Sequence, residues 1–196
     1  MATNTHNVFV TLGASNHTAG ERAELDYYAT DPLAMELLLK EEKFNRNIWE
    51  CACGSGELSK VLIDNGYSVT STDITDRGYG TSGVDFLKHT QMFSGDIITN
   101  PPYNRALEFV EHALDLIPKG NEVAMFLRIS FLEGKARRKF FDKNPPRVVY
   151  VCSGRIACYK NGITPEKKKD FSSAQGYAWF VWEKGYVGDT IVRWIN

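Results

Sequence analysis

The sequence predicts an α/β protein built on a mainly parallel, seven-stranded sheet with helices on both faces. Three observations carry that expectation. Short β-rich runs alternate with helical patterns, the order that gives parallel strands joined by crossover helices. A glycine turn, Gly54-Ser55-Gly56, follows the first strong strand run and opens a helix, which brings backbone close to a ligand at a helix N-terminus. The stiff turn Asn100-Pro101-Pro102-Tyr103 follows the apolar-flanked run Asp96-Ile97-Ile98-Thr99, placing it at the carboxyl end of a buried strand, where open α/β sheets bind their ligands.

Residues 1 to about 20 carry Gly, Ser, Asn and Thr without periodicity and are expected to form a mobile segment able to close over a ligand. The first helix is expected over 31–42, entered through Thr30-Asp31-Pro32, a start that offers a cap and a proline in the first turn. Strand 47–52 contains Ile48 and Trp49; helix 57–65 follows the glycine turn. Strand 67–72 is β-rich and ends in Asp73, while Val84-Asp85-Phe86 offers a further short strand. Then come strand 94–99, helix 104–116, strand 122–127, helix 131–142 and strand 147–152. Strands 177–182 and 190–195 complete the sheet. The turn Glu183-Lys184-Gly185 after the aromatic run Tyr177 to Trp182 suggests an antiparallel addition at the sheet edge. No repeat or linker interrupts the pattern, so 21–196 reads as one domain, with a small basic insertion at about 160–176.

At 196 residues and 43% apolar, the chain can form one substantial core. Its four cysteines, two of them in Cys51-Ala52-Cys53 on a buried strand, lack CxxC spacing and read as reduced core residues. His6, His17, His89 and His112 show no ligand spacing, so no metal is indicated. No signal peptide and no apolar run near the ~18 residues that span a bilayer is present, which makes a cytoplasmic protein without membrane contact the expectation.

The net charge of −1 conceals an uneven distribution. Arg128 to Lys169 holds twelve basic and three acidic residues, against eleven basic and twenty-one acidic elsewhere. Lys135, Arg137, Arg138, Lys139, Arg155, Lys160, Lys167, Lys168 and Lys169 belong to this block. Such a cluster is the footprint of a phosphate-binding face. The competing interpretation is a solvated helix face plus a lysine loop.

The chemistry sits in the order of four short segments. Pro101 and Pro102 fix φ and remove two donors, so the turn is rigid and its carbonyls are free to accept. The Asn100 amide oxygen and the Pro101 carbonyl could receive both hydrogens of a planar amino group, with the Tyr103 ring stacked on the heterocycle that carries it. Asp73 lies 17 residues after Gly56, near the spacing of a carboxylate that grips ribose hydroxyls. Asp85, in Gly83-Val84-Asp85-Phe86, stands between that acid and the Pro-Pro turn.

The series Glu50-x-x-x-Gly54-x-Gly56, Asp73, Asp85-Phe86 and Asp96-x-x-x-Asn100-Pro101-Pro102-Tyr103 resembles that of class I S-adenosylmethionine-dependent methyltransferases. It is similar in particular to the adenine N(6)-specific DNA methyltransferase branch, and Asp26 to Leu33 resembles the extra cofactor-contacting motif of that branch in its short phage and prophage forms. The resemblance implies a Rossmann-like methyltransferase fold, S-adenosylmethionine as cofactor and S-adenosylhomocysteine as product. It implies that Gly54 and Gly56 approach the methionine part of the cofactor with Glu50 near its amino group. Asp73, followed by Ile74, would bind the ribose, and Asp85 the adenine amine beside Phe86. Tyr28, Thr30 and Pro32 would supply further cofactor contacts, and Asn100, Pro101, Pro102 and Tyr103 would hold the reacting amine. The expected substrate is adenine in DNA. Adenine in RNA, a protein glutamine amide, and a binding module without transfer remain alternatives. No separate target-recognition domain is present, so the resemblance predicts a short recognition sequence, weak specificity, or a partner that brings specificity; a homodimer is also open. The best match to the family's second base-flanking aromatic is Tyr159, in Arg155-Ile156-Ala157-Cys158-Tyr159.

Overall fold

A computed structural model describes residues 27–160 and 175–196, without the side chains of Tyr159 and Lys160. The expected mobile segment at 1–20 and most of the 160–176 insertion, Lys167, Lys168 and Lys169 included, lie outside the described residues.

The elements in chain order are β1 (Tyr28–Thr30), α1 (Leu33–Glu41), β2 (Asn47–Glu50), α2 (Glu57–Asp64), β3 (Ser68–Ser71), β4 (Asp96–Thr99), α3 (Ala106–Leu116), β5 (Glu122–Arg128), α4 (Lys135–Phe141), β6 (Val148–Cys152), β7 (Cys158–Lys160), β8 (Tyr177–Glu183) and β9 (Ile191–Ile195). Seven strands form one sheet in the order β3-β2-β4-β5-β8-β6-β9. They coincide with the seven strand runs of the sequence. β8 runs antiparallel to both β5 and β6, while β9 pairs parallel with β6. The antiparallel addition therefore lies on the C-terminal flank, with β6 and β9 outside it.

Alternation along each strand divides the core in two. Ile48, Ile98, Ala124, Phe126, Tyr150 and Trp179 pack against α1 and α2; Trp49, Ile97, Val123, Met125, Phe180 and Trp182 pack against α3 and Phe140 of α4. A sheet buried on both faces needs such near-continuous apolar strands. The fully buried Trp179 also donates its indole N–H to the Ala34 carbonyl at 2.8 Å, which pins α1 to the sheet.

Strand β4 is clamped at its amino end. Asp96, 3% exposed, accepts hydrogen bonds from the Asn45 amide (2.6 Å), the Asn121 side chain (2.9 Å) and the Glu122 amide (2.9 Å). With that end fixed to two neighbouring loops, the Asn-Pro-Pro-Tyr turn at the carboxyl end inherits a defined position. The motif acid Asp96 thus anchors the strand at the end away from that turn.

Two expectations are corrected and a third is refined. Val84-Asp85-Phe86 is not a strand: the Asp85 carboxylate accepts the Leu87 N–H at 3.2 Å and caps a 3-10 turn, Phe86–Lys88, because a short acid side chain competes with ladder pairing for the backbone. The helix expected over 131–142 divides into a 3-10 turn, Ile129–Leu132, and α4, since Gly134 between them has φ 109°. At the entry to α1, where the Thr30-Asp31-Pro32 start offers a cap, it is Asp31 that accepts the Leu33 N–H (3.1 Å), a refinement of the expectation. Thr30 instead ends β1, which pairs antiparallel with β7 in a ribbon separate from the main sheet. The Asp31 N–H to the Ala157 carbonyl, 3.0 Å, extends that ribbon.

Candidate active site

The carboxyl ends of β2, β3 and β4 frame a cleft with two lobes, which share Tyr27, Tyr28, Ala52 and Asn100 as a common wall. The larger lobe encloses about 650 Å³ including its open mouth and is lined by Asp73, Ile74, Asp85, Phe86, Pro101 and Pro102, among others. The smaller, about 250 Å³, is lined by Thr30, Glu50, Gly54 and Glu57, among others.

The turn between β2 and α2 supplies the floor. Gly54 has φ 57°, and a Cβ there would lie 2.6 Å from the Tyr27 ring. Only glycine permits that approach. Gly56, φ 85°, precedes α2 but lines neither lobe, and the Tyr79 ring covers its Cα face. Asp73 is 7% exposed and accepts the Gly54 N–H and the Thr75 N–H, both at 2.9 Å. It therefore locks the glycine turn to the end of β3 while facing the larger lobe. Asp85 faces the same lobe, although Leu87 N–H and Lys88 (3.2 Å) already draw on its carboxylate. Ile74, 59% exposed, leaves an apolar surface open beside Asp73, and Phe86 closes the lobe from inside the core.

Glu50 is the electrostatic outlier. It is 2% exposed and accepts the Ser59 hydroxyl, which also shares a 2.6 Å bond with Ser71. Burial, outweighing that hydrogen bond, pushes its carboxyl up to about 8, and the nearby Glu57 and Asp73 carboxylates add to the rise. A buried acid with little local compensation on the edge of a cleft marks a site for a cationic ligand group.

Asn100 stands where the lobes meet. Its Nδ2 donates to Thr30 Oγ1 at 2.7 Å and to the Tyr28 carbonyl at 3.3 Å, whereas its Oδ1 is buried with no hydrogen-bond partner. A buried orphan acceptor is costly unless a ligand uses it. The turn is closed by the Arg105 N–H to the Pro102 carbonyl, 3.0 Å.

Tyr103 does not line either lobe. Its ring packs 5.4 Å from that of Tyr28 and 5.9 Å from Tyr177, with the Arg128 guanidinium 4.8 Å away, and its hydroxyl donates to Cys158 Sγ at 3.4 Å. Pro32, the residue before α1, is likewise outside the lining. Of the basic residues, Arg137 donates to the Glu133 and Ser130 carbonyls and covers the Phe131 ring, and Arg138 pairs with Asp142 at 2.7 Å. Lys135, Lys139 and Arg155 are exposed. Lys160 and Tyr159 join the main chain of β7 beside β1.

Among the cleft residues that sequence reading did not assign, Tyr27 and Arg77 make the most specific contact. The Arg77 guanidinium stacks 3.8 Å over the Tyr27 ring, and the Tyr27 hydroxyl bonds Ser55 at 2.7 Å, so the pair bridges the cleft between the segment before β1 and the loop after β3. Tyr27 stood beside the recognised Tyr28; Arg77 sits in an aperiodic polar loop that carries no signal. The four cysteines are free and buried, and burial pushes the Cys53 and Cys152 thiols up to about 12. Among the described residues no group of three or more His, Cys, Asp or Glu is placed to hold a metal, and no helix is long and apolar enough to cross a membrane.

No protein-family model and no curated protein matches this sequence. Solved structures do. A protein of Listeria monocytogenes, provisionally assigned as a class I S-adenosylmethionine-dependent methyltransferase, superposes with a TM-score of 0.57 at 12% identity over 97% of this chain and 70% of its own. The fold is that of class I methyltransferases. A modification subunit of a provisionally assigned type I restriction enzyme from Vibrio vulnificus shares this methyltransferase fold with a TM-score of 0.58 at 12% identity, over 95% of this chain and 49% of that one. A provisionally assigned RNA methyltransferase from Pyrococcus horikoshii follows with 0.52 at 14%, over 94% and 99%. At these identities the methyltransferase likeness is one of fold.

Proposed function

We propose that this chain transfers a methyl group from S-adenosylmethionine to the exocyclic amino group of adenine in DNA. The observation that carries the reading is the buried, partnerless Oδ1 of Asn100, a residue that lines both lobes. A buried acceptor without a protein partner suits a donor that arrives with the substrate.

The cleft fits the cofactor by its donor set. Asp73 and Asp85 with the apolar Ile74 and Phe86 suit a ribosyl adenine in the larger lobe, and Glu50 in the smaller suits an ammonium group. When bound, S-adenosylmethionine supplies a methyl group on a sulfonium sulfur.

The chain's own residues do the rest. An aromatic amine delocalises its lone pair into the ring and is a poor nucleophile. Asn100 Oδ1 and the Pro101 carbonyl, held by a turn that two prolines stiffen, accept its two N–H bonds and leave the lone pair facing the lobe seam. Once the nitrogen becomes cationic its proton is acidic enough to pass to water, so no dedicated base is required. Burial holds the Tyr103 phenol well above its usual range, so it stays protonated and serves as packing rather than as a base. Its ring supports the corner from behind, among Tyr28, Tyr177 and Arg128. Exposed Lys135, Lys139 and Arg155, on segments that follow β5 and β6, would meet the phosphates, and the target base would be turned out of its stack to reach Asn100.

The test incubates the purified protein with methyl-labelled cofactor and, in parallel, unmethylated plasmid DNA, total RNA and a protein bearing an exposed glutamine. Label recovered as N6-methyladenine from DNA supports the reading. Label on RNA or protein alone transfers the same chemistry to that substrate, and no label anywhere overturns it.

A further inference from the structure

We infer that Thr30 is a positioning residue that holds the Asn100 amide in the orientation selected by the Tyr28 carbonyl, so that the oxygen and not the nitrogen faces the reacting amine. The inference rests on the proposed amine methylation for its purpose, but its geometry stands independently.

An asparagine amide presents an acceptor and a two-hydrogen donor of nearly identical shape, and nothing in its own torsions selects one orientation over the other. Here the selection comes from β1. Nδ2 faces two oxygens, Thr30 Oγ1 at 2.7 Å and the Tyr28 carbonyl at 3.3 Å. A carbonyl can only accept, so turning the amide over would set two acceptors against each other at Tyr28; the Thr30 hydroxyl, which can donate or accept, makes the shorter bond and holds the amide in the orientation that the carbonyl selects. Both partners are contributed by one short strand. That strand is itself clamped to β7 by the pairs Tyr28↔Lys160, Ala29↔Tyr159 and Thr30↔Cys158, and by Asp31 N–H to Ala157. Thr30 is 4% exposed. The ribbon lies outside the main sheet and adds nothing to its ladder. Its geometric consequence is a donor group tied back and a buried acceptor left without a protein partner. Thr30 also borders the smaller lobe, so direct cofactor binding is the rival role.

Thr30→Val keeps the shape and removes the hydroxyl; Thr30→Ser keeps the hydroxyl and removes a methyl. Two readouts separate the outcomes. In the ligand-free protein, 15N-detected exchange of the Asn100 side-chain amide should be slow in the wild type and in Thr30→Ser and fast in Thr30→Val. In steady-state transfer to DNA, Thr30→Val should lower kcat about tenfold, the loss of one hydrogen bond in the orienting pair, with the cofactor Kd by calorimetry unchanged, and Thr30→Ser should recover most of that loss. A weakened cofactor Kd with kcat preserved would overturn the inference and make Thr30 a cofactor ligand. Unchanged Asn100 exchange in Thr30→Val would overturn it as well. A wild type that shows the slow exchange, loses it in Thr30→Val, and methylates no adenine would uphold the positioning and sink the proposed reaction.

Discussion

Glu50 offers a prediction whose size and sign both follow from its surroundings. Its carboxyl titrates near 8 in the folded chain against an ordinary value of 4.5 because burial opposes ionisation. Between those two pH values the folded state keeps a proton that the unfolded chain has released, so stability falls as pH rises through the window and is flat outside it. The full shift corresponds to about 5 kcal/mol, and the interval from about pH 5 to about pH 8 to roughly 3–4 kcal/mol. Glu50→Gln is neutral at every pH and can still bond the Ser59 hydroxyl. The variant should therefore match the wild type in urea denaturation near pH 4 and gain on it steadily, until it is several kcal/mol more stable near pH 8. Titrating groups that do not interact with Glu50 cancel in the difference, and the coupling to Glu57 and Asp73 is part of what the difference reads. Parallel stability curves for the two proteins from about pH 4 to about pH 9 would refute the reasoning. A buried carboxyl kept at such a cost belongs to a site and not to the core, and in the proposed reaction the positive charge of the cofactor's ammonium group would favour the ionised form, the Glu50 proton passing to solvent. The same variant should bind S-adenosylmethionine less tightly despite its greater stability, a trade familiar at functional sites.

Three further outcomes test the strand anchor and the basic face. Asp96→Ala strips the acceptor from three N–H donors at the amino end of β4 and should cost about 3 kcal/mol, read as a lowered urea midpoint with an unchanged m-value. Lys135→Ala with Lys139→Ala should reduce the slope of DNA affinity against salt by up to about two phosphate contacts. Arg137→Ala, which loses bonds to the Glu133 and Ser130 carbonyls, should instead lower the thermal midpoint and leave that slope nearly unchanged.

The central strands were legible because each is a near-continuous apolar run, and all seven sheet strands were found where β formers crowd together. Alternation within them, Ile48 against Trp49 or Trp179 against Phe180, assigns the two faces directly. Short-range polar chemistry was harder to read. Asp85 captured the Leu87 N–H and turned a strand-like triplet into a 3-10 turn. Gly134 broke a helix that composition would have continued. The β1–β7 ribbon joins positions more than a hundred residues apart with three residues on each side, and no local pattern announces so short a pairing. For the same reason the letters Thr30-Asp31-Pro32 suggested a cap, and only the fold shows Thr30 bonded to Asn100. The cleft-facing acids, Glu50, Asp73 and Asp85, were legible from their order; Arg77, which reaches the cleft by stacking on Tyr27, was not. Tyr103 was read as a platform facing the substrate, and its ring lies in an aromatic cluster behind the turn.

The central claim is that the bare Asn100 oxygen receives the amino group that becomes methylated. Its most direct test expresses the wild type and Asn100→Ala in a host without adenine methylation and quantifies N6-methyladenine in the host DNA by nucleoside mass spectrometry, with cofactor affinity of both proteins measured by calorimetry. The account predicts methyladenine with the wild type, none with Asn100→Ala, and closely similar cofactor affinities. Equal methyladenine from both proteins would contradict it.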